Sequence, residues 1–201
     1  LCSLSIPIIY YYTSTYTAII ILSVLTGFAV ILDLLRYFFP GIGKLFYLLF
    51  GFLLRKHEMD EKKRNLNGAT YVFISALLCV IIFPKVIVVT AFSILIVSDS
   101  IAALVGRKFG KTPFLYKSLE GTLAFFLSAS IVIFFTPKVE YGLMEYAIGI
   151  LAAAVGAISE NISYGFADDN LSIPLSIGFT MWGMYLLYLP ETELILLNVP
   201  G

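Results

Sequence analysis

The chain has 201 residues, 60% of them hydrophobic and 13% charged, with a formal net charge of zero and a mean hydropathy of +0.96. Soluble domains carry about 25% charged residues, so these values exclude a soluble globular domain, and the balanced charge gives no argument for a nucleic-acid partner. What remains is an all-α, polytopic integral membrane protein. In chain order the apolar runs predict a bundle of about seven spans: Leu1–Tyr12, Tyr16–Leu35, Gly68–Phe83, Val86–Val105, Thr122–Thr136, Gly142–Ser159 and Leu171–Leu189. The first starts inside an apolar stretch with no basic flank. It reads as a span whose beginning is missing rather than as a signal peptide, in a single membrane-embedded domain over residues 1–201. "LFYLLFGFLL", residues 45–54, is too short to span and is expected in the interface. Cys2 and Cys79 sit in apolar runs and read as small hydrophobes.

Basic residues set the expected orientation. Of thirteen Lys and Arg, seven lie between Arg36 and Arg64 and four between Arg107 and Lys117, leaving Lys85 and Lys138 alone in short turns. The positive-inside rule puts the two basic regions in the cytoplasm. The two spans between them return the chain to the same side, and onward tracing puts "ENISYGFADDN" there too. Tyr10, Tyr11, Tyr12 and Tyr16 then form an aromatic belt on the far side.

Ionisable residues in or beside spans are costly and point to function. Asp33 and Arg36 have the spacing of an interfacial ion pair. Asp99 lies inside the fourth span, sharing a helix face with Ala102, Ala103 and Gly106, small residues that allow close packing or leave room for a ligand. "GRKFGKT", Gly106 to Thr112, resembles a phosphate-binding loop, but it has three residues between its glycines where such a loop has four, and it follows an apolar helix rather than a strand. It is not a P-loop. Gly106 and Gly110 still allow backbone N–H groups to approach an anion, with Arg107, Lys108 and Lys111 supplying charge. In "KSLEGT", Ser118 reads as a helix N-cap and Glu120 as a first-turn acid, beside Lys117; a helix start so placed also suits a phosphate. Glu160 ends the sixth span, and Asp168, Asp169 and Asn170 precede the seventh. Carboxylates and a carboxamide suit a hard cation such as Mg²⁺, and a solvated acidic loop has the same composition.

Taken together, "SDSIAALVGRKFGK", "KSLEGT" and "DDNLSIPL" resemble the motifs of the polyprenol kinase family, which includes dolichol kinase, phytol kinase and the CTP-dependent diacylglycerol kinase of fungi. The matching positions are Asp99, Ala102, Gly106, Gly110, Lys111, Lys117, Ser118, Glu120, Gly121, Thr122, Asp168, Asp169 and Asn170. Weaker similarity covers Asp33 to Arg36, Arg55, Glu58 and Gly68 to Thr70. Ser98 departs from the family, which usually has Gly there. The resemblance implies phosphorylation of a lipid alcohol with CTP as donor and a divalent metal. Arg107, Lys108, Lys111 and Lys117 would then meet phosphates. Asp99, Glu120, Asp168 and Asp169 would serve the metal, and Asp99, Glu120 and Asp169 are open choices for the base. Such a protein would be a multi-pass membrane enzyme facing the cytoplasm, in the plasma membrane of a prokaryote or the endoplasmic reticulum or plastid membrane of a eukaryote. Two other readings are weighed. One is a cytidylyltransferase forming a CDP-lipid, whose late G-G-x-x-D-R-x-D segment is missing here. The other is a transporter whose buried Asp carries ions.

Overall fold

A computed structural model describes residues 4–38, 66–163, 168–197 and 199–201. The interfacial segment expected at 45–54, the loop carrying Arg55, Glu58 and Arg64, and Cys2 lie outside the described residues. Seven helices are present among those described: α1 (Ser5–Tyr12), α2 (Thr15–Phe38), α3 (Gly68–Ile82), α4 (Lys85–Phe109), α5 (Leu119–Phe135), α6 (Leu143–Ile162) and α7 (Asp169–Tyr188). Each matches a predicted segment. The departure from an all-helical chain is a small antiparallel pair, β1 (Pro113–Phe114) and β2 (Lys117–Ser118), in the connection from α4 to α5.

Length and composition make four helices able to cross a membrane: Thr15–Arg36 within α2, and all of α4, α6 and α7. The apolar helices α3 and α5 have 15 and 17 residues, and α1 has eight, against the roughly 20 residues of a straight crossing. Helix length therefore supports a multi-pass membrane protein without fixing the count at seven.

Helix starts follow local chemistry. The Asn67 side chain accepts the Ala69 N–H and caps α3, Ser118 accepts the Gly121 N–H and caps α5, and Asp168 accepts the Asn170 N–H and caps α7. The central helix is α4. It packs chiefly against α5, α7 and α1, while α6 lies against α5 and α7, and α2 packs mainly on α3. Ile87, Ile94, Phe125, Ile133, Ile148 and Ile177 are fully buried in the shared core.

The bundle has two chemically different ends. At one, α4 finishes, α5 begins, α6 finishes and α7 begins. At the other, each lysine is absorbed by the fold. Lys85 Nζ donates to the carbonyls of Thr13, at 2.8 Å, and Pro200, and lies over the Tyr10 ring. Lys138 is 3% exposed and donates to the Ile133 carbonyl at 2.6 Å, the Thr136 carbonyl at 2.8 Å and Thr136 Oγ1 at 3.1 Å. Nearby, the buried Glu145 carboxylate accepts from the N–H groups of Val139 and Glu140 and from the Tyr185 hydroxyl. Tyr12 and Tyr16 are exposed here as an aromatic belt requires, but Tyr10 is buried in the core, because its ring faces inward against the bundle and its hydroxyl bonds Thr15.

Candidate functional site

The segment "GRKFGKT" is not one turn. Gly106 to Phe109 form the last turn of α4, and Gly110 is the C-cap, its N–H donating to the Gly106 carbonyl at 3.0 Å. This extends α4 four residues beyond its expected end at Val105 and leaves Arg107 and Lys108 in the last turn, where the helix dipole favours cations. The chain then runs through Lys111 and Thr112 into β1, reverses at Leu115 and Tyr116, and returns as β2 into α5, with Phe114 paired to Lys117 and Pro113 to Ser118. Leu115 has a φ of 51°, a left-handed conformation that costs a leucine about 1–2 kcal/mol.

This reversal folds the two motifs onto each other. A Cβ placed on Gly106 would sit 3.3 Å from Ser118 Oγ, and one on Gly121 would sit 3.2 Å from the same atom and 3.3 Å from the Ala102 carbonyl oxygen. One on Gly110 would meet the Gly106 carbonyl oxygen inside contact distance and Ser118 Oγ at 2.7 Å. Gly110 thus leaves no room for a side chain, and Gly106 and Gly121 leave little, so α4 approaches α5 closely, as the small-residue face predicts. The Gly110 N–H serves the α4 cap and the Gly121 N–H the Ser118 cap. The Thr112 N–H donates to both carboxylate oxygens of Glu120, at 3.1 and 3.3 Å, tying the first motif to the second.

Helix α6 holds the return strand from the other side. The Lys117 ammonium lies 2.5 Å from Glu160 Oε1, with the lysine partly exposed and the glutamate buried. Asn161, fully buried, accepts the N–H groups of Tyr116 and Lys117 on Oδ1, at 2.9 and 3.3 Å, and donates from Nδ2 to Thr122 Oγ1 at 2.6 Å. Thr122 in turn donates to the Ser118 carbonyl. One carboxamide therefore satisfies the strand and the start of α5 together. Asn161 was not among the residues expected from sequence; its one signal there is a carboxamide directly after Glu160 at the end of an apolar run.

The acidic turn before α7 closes on itself. Asp168 Oδ1 accepts from Asn170 N at 2.9 Å and Asn170 Nδ2 at 2.7 Å, and Asp169 Oδ1 accepts from Asn170 N at 3.1 Å. Its neighbour Ser172 bonds Ser163 at the end of α6, which places the turn at the same end as Lys117 and Glu160. Asp99 is half-buried on α4, two turns or about 10 Å into the bundle from Gly106 along the helix axis.

Asp33 and Arg36 pair as the i,i+3 spacing predicts, Nε to Oδ1 at 3.4 Å, both buried. Asp33 does more than pair: Oδ2 accepts the Asn67 N–H at 2.8 Å and the Thr70 hydroxyl at 2.7 Å. It ties α2 to the start of α3.

Arg107, Lys108 and Lys111 are exposed around the folded motifs. Among the described residues no three His, Cys, Asp or Glu side chains group as a metal cage. Asp99, Glu120, Asp168 and Asp169 are the carboxylates the sequence offers to a cation.

Comparison with known proteins gives several relatives. An uncharacterised protein of Rickettsia prowazekii is 31% identical over 175 residues, covering 85% of this chain and 83% of that protein. Another, from Methanocaldococcus jannaschii, is 31% identical over 164 residues, 80% of this chain and 76% of that protein. CTP-dependent diacylglycerol kinase 1 of Schizosaccharomyces pombe is 31% identical over 160 residues, 71% of this chain and 70% of the kinase. No family model and no solved structure matches.

Proposed function

This chain belongs to the family of the CTP-dependent diacylglycerol kinases, and on that premise we propose that it transfers a phosphoryl group from CTP to the hydroxyl of a membrane lipid alcohol, a polyprenol, phytol or a similar acceptor. The bond from the terminal phosphorus to the bridging oxygen of CTP breaks, CDP leaves, and the lipid oxygen bonds the phosphorus as its proton passes to a carboxylate.

The observation that carries this reading is the folding of "GRKFGKT" onto "KSLEGT" around Ser118, at one end of an apolar bundle. Phosphoryl transfer needs positioning and charge neutralisation more than covalent help. Exposed Arg107, Lys108 and Lys111 supply positive charge, and Lys117 is held in place by buried Glu160. In this proposal these four meet the phosphates, beside Gly106, Gly110, Ser118, Gly121 and Thr122. Mg²⁺ would neutralise the phosphates between Asp99, Glu120, Asp168 or Asp169, and one of Asp99, Glu120 and Asp169 takes the hydroxyl proton. Asn170 orients the acidic turn. The site faces the cytoplasm in a seven-span topology, where nucleotide arrives from water and the alcohol from the bilayer.

The test is a screen of purified protein in vesicles. Long-chain prenols, phytol and diacylglycerol are offered with CTP, ATP, GTP or UTP and Mg²⁺. A phosphorylated lipid formed with CTP is expected. A CDP-lipid would make it a cytidylyltransferase, and no product with any pairing would defeat the kinase reading.

A further inference from the structure

Helices α1, α2, α3 and α4 enclose an apolar cavity of about 190 Å³ at the half of the bundle away from the folded motifs. Its walls include Tyr10, Leu22, Leu25, Phe73, Val88 and Phe92. It is not a sealed packing defect. Ile9, Ile21 and Leu25 line it and are each more than a third exposed, on the outer surface of α1 and α2. In a bundle that crosses a membrane, that surface meets hydrocarbon, so the cavity is continuous with the lipid-facing side of the protein.

One face of α4 joins the cavity to the candidate site. At 3.6 residues per turn, Val88, Phe92, Asp99 and Gly106 fall within about 40° of one another. Val88 and Phe92 wall the cavity, Gly106 packs on Ser118 and Gly121, and Asp99 lies midway, about 10 Å along the axis from both Phe92 and Gly106. Helix α3 repeats the order. Thr70, hydrogen-bonded to Asp33, is one turn from Phe73, and Ala76 and Val80 continue the same face down the cavity.

We propose that this cavity holds the hydrocarbon chain of the lipid alcohol acceptor, with the hydroxyl at the level of Asp99. The identity of the alcohol rests on the kinase reading; the seat for a chain rests on the geometry alone. A cavity of about 150 Å³ lined by Leu, Ile and Phe takes up benzene, so this one accommodates a stretch of a single chain and not two side by side. Acceptors with one slender chain, isoprenoid or alkyl, are therefore favoured over entry of both chains of a diacyl lipid.

The test uses a long-chain alcohol carrying a photoreactive diazirine within its chain, added to the full chain in phosphatidylcholine vesicles, with adducts mapped by mass spectrometry. Adducts are expected on Leu25, Phe73 and Phe92, removed by excess unlabelled alcohol and not by added phosphatidylcholine. Equal competition by phosphatidylcholine would make the cavity a seat for bulk lipid and overturn the proposal. So would adducts confined to the outer face of α5, at Leu127 and Ile131. Ala76 is buried in the cavity wall, and Ala76→Phe should lower cavity labelling by about tenfold, within the range that one or two methylenes command in an apolar pocket. Ala76→Val, a smaller change, should give a partial loss if the larger one fails to fold. Leu127→Phe on the exposed face of α5 should leave labelling unaltered. Turnover is measured in the same vesicles. Turnover without cavity labelling overturns the chain seat and spares the kinase reading; cavity labelling competed by alcohol, without turnover, supports the seat and defeats the kinase reading.

Discussion

Ser118 has three glycines around it, and the distances grade what a methyl group does at each. On Gly110 it would overlap the Gly106 carbonyl oxygen, a backbone atom that cannot step aside. Gly110→Ala should therefore open the α4 cap, lower stability by about 1–3 kcal/mol and abolish turnover. On Gly106 it meets Ser118 Oγ at 3.3 Å and the Gly121 Cα at an ordinary contact distance of 3.7 Å, and the gain of up to about 1 kcal/mol from replacing a helical glycine offsets the squeeze; Gly106→Ala should unfold near the wild-type temperature. Thermal unfolding in detergent beside turnover checks the order. Asp99→Asn keeps the shape and removes the charge. It should leave folding intact, since a neutral amide is easier to bury, and reduce turnover by about a hundredfold or more. Full activity in that variant would make Asp99 a packing residue. At Asn161, Ala removes the acceptor of two backbone N–H groups and the donor to the Thr122 hydroxyl, which keeps its bond to the Ser118 carbonyl. The expected loss is about 1–3 kcal/mol, with faster hydrogen exchange at Tyr116 and Lys117 than elsewhere.

The helices were legible in the sequence because length and hydropathy decide them, and Ser118 and Glu120 took the cap and first-turn positions their types favour. The strands were not. Two residues each give no alternation to read, and their turn lacks the usual glycine or asparagine, using Leu115 with a φ of 51° instead. The close packing of α4 on α5 was readable from Ala102 and Gly106. The bond from Glu120 to Thr112 and the clamp at Asn161 were not, because they join residues that only the folded chain brings together. The connection from α5 to α6 carries a pH effect of its own. Burial pulls the Lys138 ammonium down from 10.5 to about 8, with Glu145 partly opposing it. Below about pH 8 the ammonium is charged folded and unfolded, and its burial penalty is fully present. Between about 8 and 10.5 the unfolded chain holds a proton the folded one has shed, so stability rises with pH, by roughly 3 kcal/mol at most. Lys138→Met should be the more stable protein at pH 7, and its advantage should shrink toward pH 10 in thermal unfolding. An advantage that does not change with pH would show that Lys138 stays charged.

At the scale of the molecule, the charge asymmetry predicts a topology that labelling can check. Single cysteines at Thr112 and Asn170 should react with an impermeant reagent from one side of the membrane, and one at Tyr141, exposed beside buried Lys138, from the other. Reaction of Asn170 together with Tyr141 would break the single-site arrangement. The helices that frame the site also differ in height. At 1.5 Å per residue α4 rises about 38 Å, but α3 and α5 rise only about 22 and 26 Å, and a bilayer's hydrocarbon is about 30 Å thick. If α3 and α5 cross the bilayer, thinning of the lipid beside them is one way to match their length, and it would draw headgroups and water down toward the level where α3 and α5 begin. A hydroxyl carried by a membrane lipid would then reach the folded motifs without leaving its leaflet. Vesicles made from shorter-chain phospholipids should raise turnover, and thicker ones should suppress it.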